Sequence, residues 1–112
     1  MELIKREEGI AKTAKRHFLQ CGISKISTER GSIRLNCSVS HFLPGGGAEM
    51  YASPTERAYF GLYGILLIKD KQGNEFILEP GDTLYLPPDE ERSIEVLGNE
   101  PATMLVVIVN LK

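Results

Sequence analysis

Short runs of alternating apolar and polar residues, separated by turns that contain glycine or proline, make up most of the chain. The clearest run extends from Ile33 to Leu43, with residues 33, 35, 37 and 39 apolar and residues 34, 36, 38 and 40 polar. Because successive side chains of a strand point to opposite faces, a period of two predicts a β-strand. Further runs rich in β-branched and aromatic residues predict strands at 58–68, 76–78, 83–86, 92–97 and 103–109.

Turn-forming residues recur between these runs, at 21–22, 30–32, 44–47, 53–54, 73–74, 80–82, 87–89 and 98–101. Gly61 and Gly64 lie within the run 58–68, which is therefore either a pair of strands or one long strand bent at a glycine. Many short strands joined by such turns predict an all-β sandwich or barrel.

The N-terminal residues have a weaker pattern. Ala, Lys and Glu in Glu7–Phe18 favour a helix, but Gly9 and Thr13 oppose it and the apolar residues form only a partial stripe. We therefore predict extended strands and loops over residues 1–32 and the barrel over residues 33–112, with both parts in one domain.

The composition agrees with a folded single domain. The chain has 112 residues, 42% of them hydrophobic, and a formal net charge of −2, which does not fit a disordered chain. The longest apolar run, Met104–Val109, is far shorter than the ~20 residues that cross a bilayer. The first eight residues are charged rather than basic and then apolar, so we expect a cytoplasmic protein without a membrane partner.

Charge is distributed unevenly. Residues 1–34 hold eight Lys/Arg and four Glu, whereas residues 35–112 hold five Lys/Arg and eleven Asp/Glu. The basic residues are scattered singly without interleaved aromatics, which favours lysines that protect a sheet edge over a nucleic-acid surface. Cys21 and Cys37 fit free thiols in a reducing compartment. With only two histidines, a three-histidine metal site is disfavoured.

Two segments resemble the motifs of the cupin family over roughly residues 33–109. In the first, Gly45 is followed by five residues, Tyr51-Ala52-Ser53, three residues, Arg57, six residues and Gly64. In the second, the run 81–87 matches the motif's opening, and Asp89, Arg92 and Val96 occupy its glycine, histidine and asparagine positions. The resemblance implies a double-stranded β-helix, or jelly-roll barrel, with an N-terminal extended segment.

The resemblance also implies where a site would lie. Family members usually bind a divalent metal at four motif positions, which here are Tyr51, Ser53, Arg57 and Arg92. Arginine has no lone pair to donate and keeps its positive charge. We therefore expect neither a metal nor another cofactor.

An anion suits these residues better than a metal. Tyr51 and Ser53 share one strand face, Arg57 and Tyr59 share another, and the resemblance brings Arg92 to them. Guanidinium groups pair with carboxylate or phosphate, so we expect these five residues to bind a small anionic metabolite in a sensor, carrier or accessory role. The alternative is that Arg57 pairs with Glu56, and Arg92 with Asp89, Glu90 or Glu91, at the surface.

Two further alternatives remain at this stage. In the first, the protein is a metal-independent isomerase or lyase acting on a carboxylated or sugar substrate, with His41, Glu49 or Glu56 as the base and Tyr51 as the acid. In the second, the protein binds a metal through the unusual set His41, Glu49 and Glu56. His17 is expected in a loop or an interface.

We also expect a homodimer. Small cupins commonly dimerise, often through an N-terminal strand that pairs with the partner's sheet, and the stretch Lys12–Ile26 suits that role. Met104–Val109 is apolar on both faces, so the strand requires cover on each side and a second subunit would supply one of them.

Overall fold

The computed structural model describes all 112 residues and contains nine β-strands, two 3-10 turns and no α-helix. The 3-10 turns span Arg6–Glu8 and Thr28–Arg30. The strands are β1 (Ile10–Lys12), β2 (His17–Ile26), β3 (Leu35–Tyr51), β4 (Glu56–Tyr63), β5 (Ile65–Asp70), β6 (Glu75–Leu78), β7 (Thr83–Leu86), β8 (Arg92–Leu97) and β9 (Ala102–Val109). Every pairing with a determined register is antiparallel. The predicted all-β barrel is confirmed.

Strand β3 joins the two halves of the sheet. The strand order is β6-β5-β8-β3-β9-β4-β7, with β2 paired to β3 and β1 paired to β2. The first part of β3, residues 35–42, pairs with β9, and its last part, residues 47–51, pairs with β8. One continuous strand therefore passes from one half of the barrel to the other.

The sequence signal at residues 44–47 was misleading in one respect. Pro44 and its three following glycines predict a turn, but β3 continues through them. Gly45 has φ +82°, which a residue with a side chain rarely adopts. A Cβ on Gly47 would lie 2.0 Å from the carbonyl oxygen of Ile94. These glycines allow the strand to bend and to approach its neighbour closely without ending.

The hydrophobic core fills one end of the barrel. Eleven buried residues form it: Phe42, Ala48, Tyr59, Leu66, Ile68, Leu78, Leu86, Ile94, Val96, Ala102 and Met104. The register pairs Phe42 with Ala102, which are 1% and 0% exposed. Six residues earlier on β3, Asn36 pairs with Ile108, and both are only half-buried. The β3–β9 pair therefore extends from a packed end to an open end.

The N-terminal residues complete the sheet of their own chain. Strand β2 pairs with β3 along its length, and β1 covers part of the outer edge of β2. The stretch that the sequence assigns to pairing with a partner's sheet thus pairs with β3 of its own chain. The strand run predicted at 58–68 is divided into β4 and β5 at Gly64, whose φ is +70°. No helix of sufficient length and hydrophobicity to cross a membrane is present.

Candidate functional site

A cavity of about 570 Å³ occupies the open end of the barrel. Residues from β2, β3, β4, β8 and β9 form its wall, and residues 12–15 lie at its rim. Tyr51, Ser53, Arg57, Tyr59 and Arg92 all line it. The structure thus brings together the five residues that the sequence proposes as ligand contacts.

The cavity wall has three chemically distinct strips. Met104, Val106 and Ile108 of β9 form an apolar strip in the middle. On one side, β4 places Arg57 and Tyr59 opposite Ile108 and Val106. On the other side lie neutral polar residues of β2 and β3, namely Gln20, Ser24, Asn36, Ser38 and Ser40. Three of the four polar residues of the predicted alternation at 33–43, Asn36, Ser38 and Ser40, therefore face the cavity, whereas Arg34 is exposed.

Arg57 and Arg92 are buried and point inward, with 4% and 6% of their surface exposed. Arg92 donates from Nε to the hydroxyl oxygen of Tyr59 at 2.9 Å and from Nη1 to the carbonyl oxygen of Glu49 at 3.2 Å. Arg57 donates from Nη2 to the carbonyl oxygen of Glu90 at 2.8 Å and from Nη1 to the Tyr59 hydroxyl at 3.5 Å. Every one of these acceptors is uncharged.

Neither buried arginine has a carboxylate partner. The three salt bridges of the chain join exposed or half-exposed residues, Lys12 to Glu29, Lys69 to Glu75 and Lys71 to Glu91. The alternative in which the two arginines pair with acidic neighbours at the surface is therefore wrong. Moreover, Nε of Arg57 is buried without any hydrogen-bond partner. An unsatisfied N–H of a buried cation is uncommon.

Tyr51 and Ser53 lie nearer the rim than the arginines. Tyr51 is opposite Arg92 in the β3–β8 register and is 46% exposed. The guanidinium carbon of Arg16 lies 4.5 Å from the centre of its ring, which is a cation–π contact. The hydroxyl of Ser53 is 2.7 Å from that of Thr55. Both residues are in place to contact a molecule that enters the cavity.

The residues proposed as an alternative base or metal set are not in the cavity wall. His41 is exposed, and its Nδ1 lies 3.0 Å from the hydroxyl of Thr103 on β9. Glu49 contributes its main-chain carbonyl to Arg92, whereas Glu56 accepts a hydrogen bond from the hydroxyl of Tyr85. No group of three His, Cys, Asp or Glu residues is arranged to hold a metal ion. The proposed set of His41, Glu49 and Glu56 is therefore wrong.

The four motif positions do not suit a metal either. Tyr51 and Ser53 carry hydroxyl groups, and Arg57 and Arg92 carry buried positive charges. Two uncompensated guanidinium groups repel a divalent cation, and guanidinium nitrogens have no free lone pair to coordinate it. The metal-donor set that the cupin resemblance implies is thus replaced by two hydroxyl groups and two guanidinium groups.

His17 lines the same cavity, although the sequence places it in a loop or an interface. Its ring stacks on Phe42 with centroids 6.3 Å apart, and its Nδ1 lies 2.7 Å from the carbonyl oxygen of Lys15. Burial is the main cause that lowers the pKa of His17 below its ordinary 6.5. The hydrogen bond to Lys15 opposes this shift, and the positive charge of Arg92 adds to it.

A bulge explains why sequence periodicity missed His17. Its neighbour along the cavity wall, Gln20, is three positions away and not two, because the β2–β3 register shifts between Phe18 and Gln20. Between the pairs Phe18–Gly47 and Gln20–Phe42, β2 has one residue, Leu19 with φ +50°, whereas β3 has the four residues 43–46. The only sign in the sequence that this stretch reaches the cavity was a histidine and a glutamine among otherwise apolar residues.

The rim of the cavity is basic. Lys12 and Lys15 lie there, and Glu29 is the one acidic residue of the lining. Glu29 is paired with Lys12 at 3.4 Å. Together with the two buried arginines, these lysines give the cavity an excess of positive charge, although the whole chain carries a net charge of −2. A positively charged cavity favours anions over cations.

Comparisons with known proteins identify the fold. Residues 38–108 match the family model described as a cupin domain. The polyketide cyclase RemF from Streptomyces resistomycificus superposes with a TM-score of 0.83 at 18% identity, covering 100% of this chain and 86% of that one. A predicted oxalate decarboxylase from Thermotoga maritima superposes with a TM-score of 0.81 at 18% identity, covering 98% and 100%.

A third similar structure differs more in length. The DMSP lyase DddQ from Ruegeria pomeroyi superposes with a TM-score of 0.65 at 22% identity, covering 71% of this chain and 40% of that one. A comparison with curated protein sequences gives no significant match. Identities at this level show a shared jelly-roll fold and not a shared activity. Because the family model spans more than half of the sequence, the chain belongs to the cupin family.

Proposed function

We propose that this cupin binds a small anionic metabolite without a metal ion, as a sensor, carrier or accessory protein. The observation that carries the proposal is the pair of buried guanidinium groups, Arg57 and Arg92, which have no carboxylate within salt-bridge distance. A carboxylate or phosphate between them would accept from guanidinium N–H groups at the cavity wall and would compensate both charges.

The rest of the cavity limits the size and character of the ligand. A volume of about 570 Å³ is in the range of small-molecule sites. The apolar strip of β9 suits a carbon skeleton, and the serines and Asn36 beyond it suit hydroxyl or amide groups. We therefore propose a ligand with one anionic group, a short apolar or ring-shaped middle and a neutral polar end.

A binding screen tests this proposal. The thermal midpoint and calorimetric heat are measured with malate, citrate, 3-phosphoglycerate, glucose 6-phosphate and sulfate as probes, in a buffer of low ionic strength. A probe at one hundred times its Kd would add about 2.7 kcal/mol to the free energy of unfolding. Arg57→Gln and Arg92→Gln should each remove that gain. Arg34→Gln is the control, because Arg34 is exposed and lies outside the cavity lining.

Two results would overturn the proposal. One is that no probe stabilises the wild-type chain, and the other is that the Arg57 and Arg92 variants bind the probes as tightly as wild type does. The metal-free part has its own test, since elemental analysis of protein purified without a metal resin should give far less than one metal ion per chain. Stoichiometric metal that survives dialysis would contradict it.

A further inference from the structure

We propose that His17 is a general base and that the cavity catalyses enolisation of a 2-oxo carboxylate, by moving a proton at the carbon next to the oxo group. This inference rests on the proposed anion site, because the carboxylate of the substrate would lie between Arg57 and Arg92. It adds a reaction, a catalytic residue and a substrate class to that site.

The hydrogen bonding of His17 fixes its tautomer. The carbonyl oxygen of Lys15 can only accept a hydrogen bond, so Nδ1, 2.7 Å away, carries the proton. The other ring nitrogen, Nε2, then holds a free lone pair. Stacking on Phe42 sets the plane of the ring, and the residue lines the cavity together with the two arginines. A positioned imidazole with a free lone pair has the structure that a general base requires.

The charges around the imidazole keep it neutral. The charged side chains lining the cavity are Lys12, Lys15, Arg57, Arg92 and Glu29. Glu29 is occupied by Lys12, so the uncompensated charges are positive and disfavour a protonated imidazole. The lowered pKa of His17 agrees with this arrangement. The residue is therefore in its basic form at pH 7.

Tyr59 supplies a donor for the oxygen that becomes negative. Its hydroxyl oxygen accepts from Nε of Arg92 and from Nη1 of Arg57, and its own proton has no acceptor within the chain. That proton is available to an oxygen of a bound molecule. A buried hydroxyl beside two guanidinium groups is a strong stabiliser of an oxyanion.

These groups account for each atom of the step. The C3–H bond of the substrate breaks, its proton forms a bond to Nε2 of His17, and the electron pair moves to the oxygen on C2. Tyr59 and the guanidinium groups stabilise the resulting enolate. Return of the proton to C3 regenerates the substrate and the neutral imidazole. In a 2-oxo carboxylate, the carboxylate and the new oxyanion are on adjacent carbons, which suits a site where two arginines and Tyr59 are hydrogen-bonded to one another.

Deuterium exchange tests the reaction directly. Pyruvate and 2-oxobutyrate are the probes, and loss of their C3 proton signals in D2O is followed by proton NMR. The wild-type chain should accelerate exchange above the buffer rate, and His17→Gln should lower the protein-dependent rate by about a hundredfold or more. Binding of the probes, measured by calorimetry, should change much less. The control His41→Gln replaces the other histidine, which is outside the cavity, and should exchange like wild type.

The outcomes separate this inference from the binding proposal. Exchange at the buffer rate while the probes bind in an Arg57-dependent manner overturns the inference and leaves the binding proposal standing. Wild-type exchange by His17→Gln also overturns it. If other anions bind but the two oxo acids do not, the substrate class is wrong and the inference fails with it. If no anion binds at all, both proposals fail.

A second measurement does not depend on turnover. Long-range proton–nitrogen NMR spectra of the labelled chain report which ring nitrogen of His17 carries the proton. We expect a neutral ring protonated on Nδ1 at pH 7. A ring protonated on Nε2, or an imidazolium, would contradict the assignment of His17 as the base.

Discussion

Arg57 and Arg92 donate to the same oxygen, the hydroxyl of Tyr59, at 3.5 Å from Nη1 and 2.9 Å from Nε. The two residues come from different strands, β4 and β8, and both are almost fully buried. Like charges held this close in a buried site repel each other, and the neutral hydroxyl compensates neither. Burial of both charges without a counter-ion therefore costs the chain stability.

Replacing Arg57 by Met tests whether the buried guanidinium group destabilises the ligand-free chain. The change removes a buried charge and the buried Nε that has no hydrogen-bond partner. An unsatisfied buried polar group costs about 1–3 kcal/mol of stability. We expect Arg57→Met to increase the free energy of unfolding of the ligand-free chain by about 1 kcal/mol in urea titrations, with a midpoint roughly 4–8 °C higher. Arg34→Met, an exposed control, should stay within about 0.5 kcal/mol of wild type. A loss of stability in Arg57→Met would show that the arginine is structural.

The pH dependence of stability provides a separate prediction for His17. Its pKa is lower in the folded chain than the ordinary 6.5, so between these two values the unfolded chain binds more protons. Stability therefore rises with pH through that window, is fully present above 6.5, and is lost as pH falls through the lowered pKa. Urea titrations from pH 5 to 8 should show this slope in wild type and in His41→Gln. His17→Gln should remove it.

Asp70 titrates in a lower pH range than His17, so the effects of the two residues on stability can be separated. Its pKa is lowered, mainly by the hydrogen bond from the side chain of Asn74, and its ordinary value is 3.8. Stability from Asp70 is present above 3.8 and lost as pH falls through its lowered pKa. An unchanged slope between pH 5 and 6.5 in His17→Gln would mean that another group causes it.

The sequence was a good guide where a residue's direction follows from strand alternation and motif spacing. Tyr51, Ser53, Arg57, Tyr59 and Arg92 occur on regular stretches of β3, β4 and β8 or close to them, and the structure brings them to one cavity. Because Arg57 and Tyr59 are two residues apart, strand alternation predicts that their side chains point to the same side of the sheet. Whether that face points inward could not be decided locally, because it depends on the register of β4 against β9.

The sequence was a poor guide where the backbone departs from regular geometry. His17 and Gln20 reach the same wall because the β2–β3 register is irregular between Phe18 and Gln20, where Leu19 has φ +50°. The glycines after Pro44 predict a turn, but their flexibility is used to bend one strand across two halves of a barrel. Both departures are decided by contacts between distant parts of the chain, Phe18 with Gly47 and Gly47 with Glu95.

Substitution of Gly47 tests how closely β3 must approach β8. A Cβ at this position would lie 2.0 Å from the carbonyl oxygen of Ile94, so one of the two strands must move. We expect Gly47→Ala to destabilise the chain by about 1–3 kcal/mol and to weaken anion binding, because Tyr51 and Arg92 pair a few residues further along the same ladder. Calorimetry and urea titration measure the two effects.

Gly73 is the matched control for that substitution. It has φ +88° in a surface turn, and a Cβ there would meet nothing within 4 Å. Gly73→Ala should therefore cost only the backbone strain, of the order of 1 kcal/mol, and should leave anion binding unchanged. Equal binding losses in both variants would show that the β3–β8 approach does not position the site.

The outer face of β9 bears on the expected homodimer. Met104, Val106 and Ile108 point into the cavity, so Leu105, Val107 and Val109 point away from it. The register places Leu105 between Val39 and Phe60, which continues an apolar outer surface across three strands. A second copy covering this surface would account for a strand that is apolar on both faces.

Light scattering coupled to size-exclusion chromatography decides between one and two copies. We expect wild type at twice the 12.4 kDa chain mass at micromolar concentrations, and Val107→Glu at the single-chain mass, because a buried unpaired carboxylate opposes association. Ile77→Glu is the control, since Ile77 is an exposed apolar residue on β6, at the far end of the strand order. A wild-type chain that runs at 12.4 kDa throughout, or a Val107→Glu variant that remains a dimer, would exclude this face as the interface.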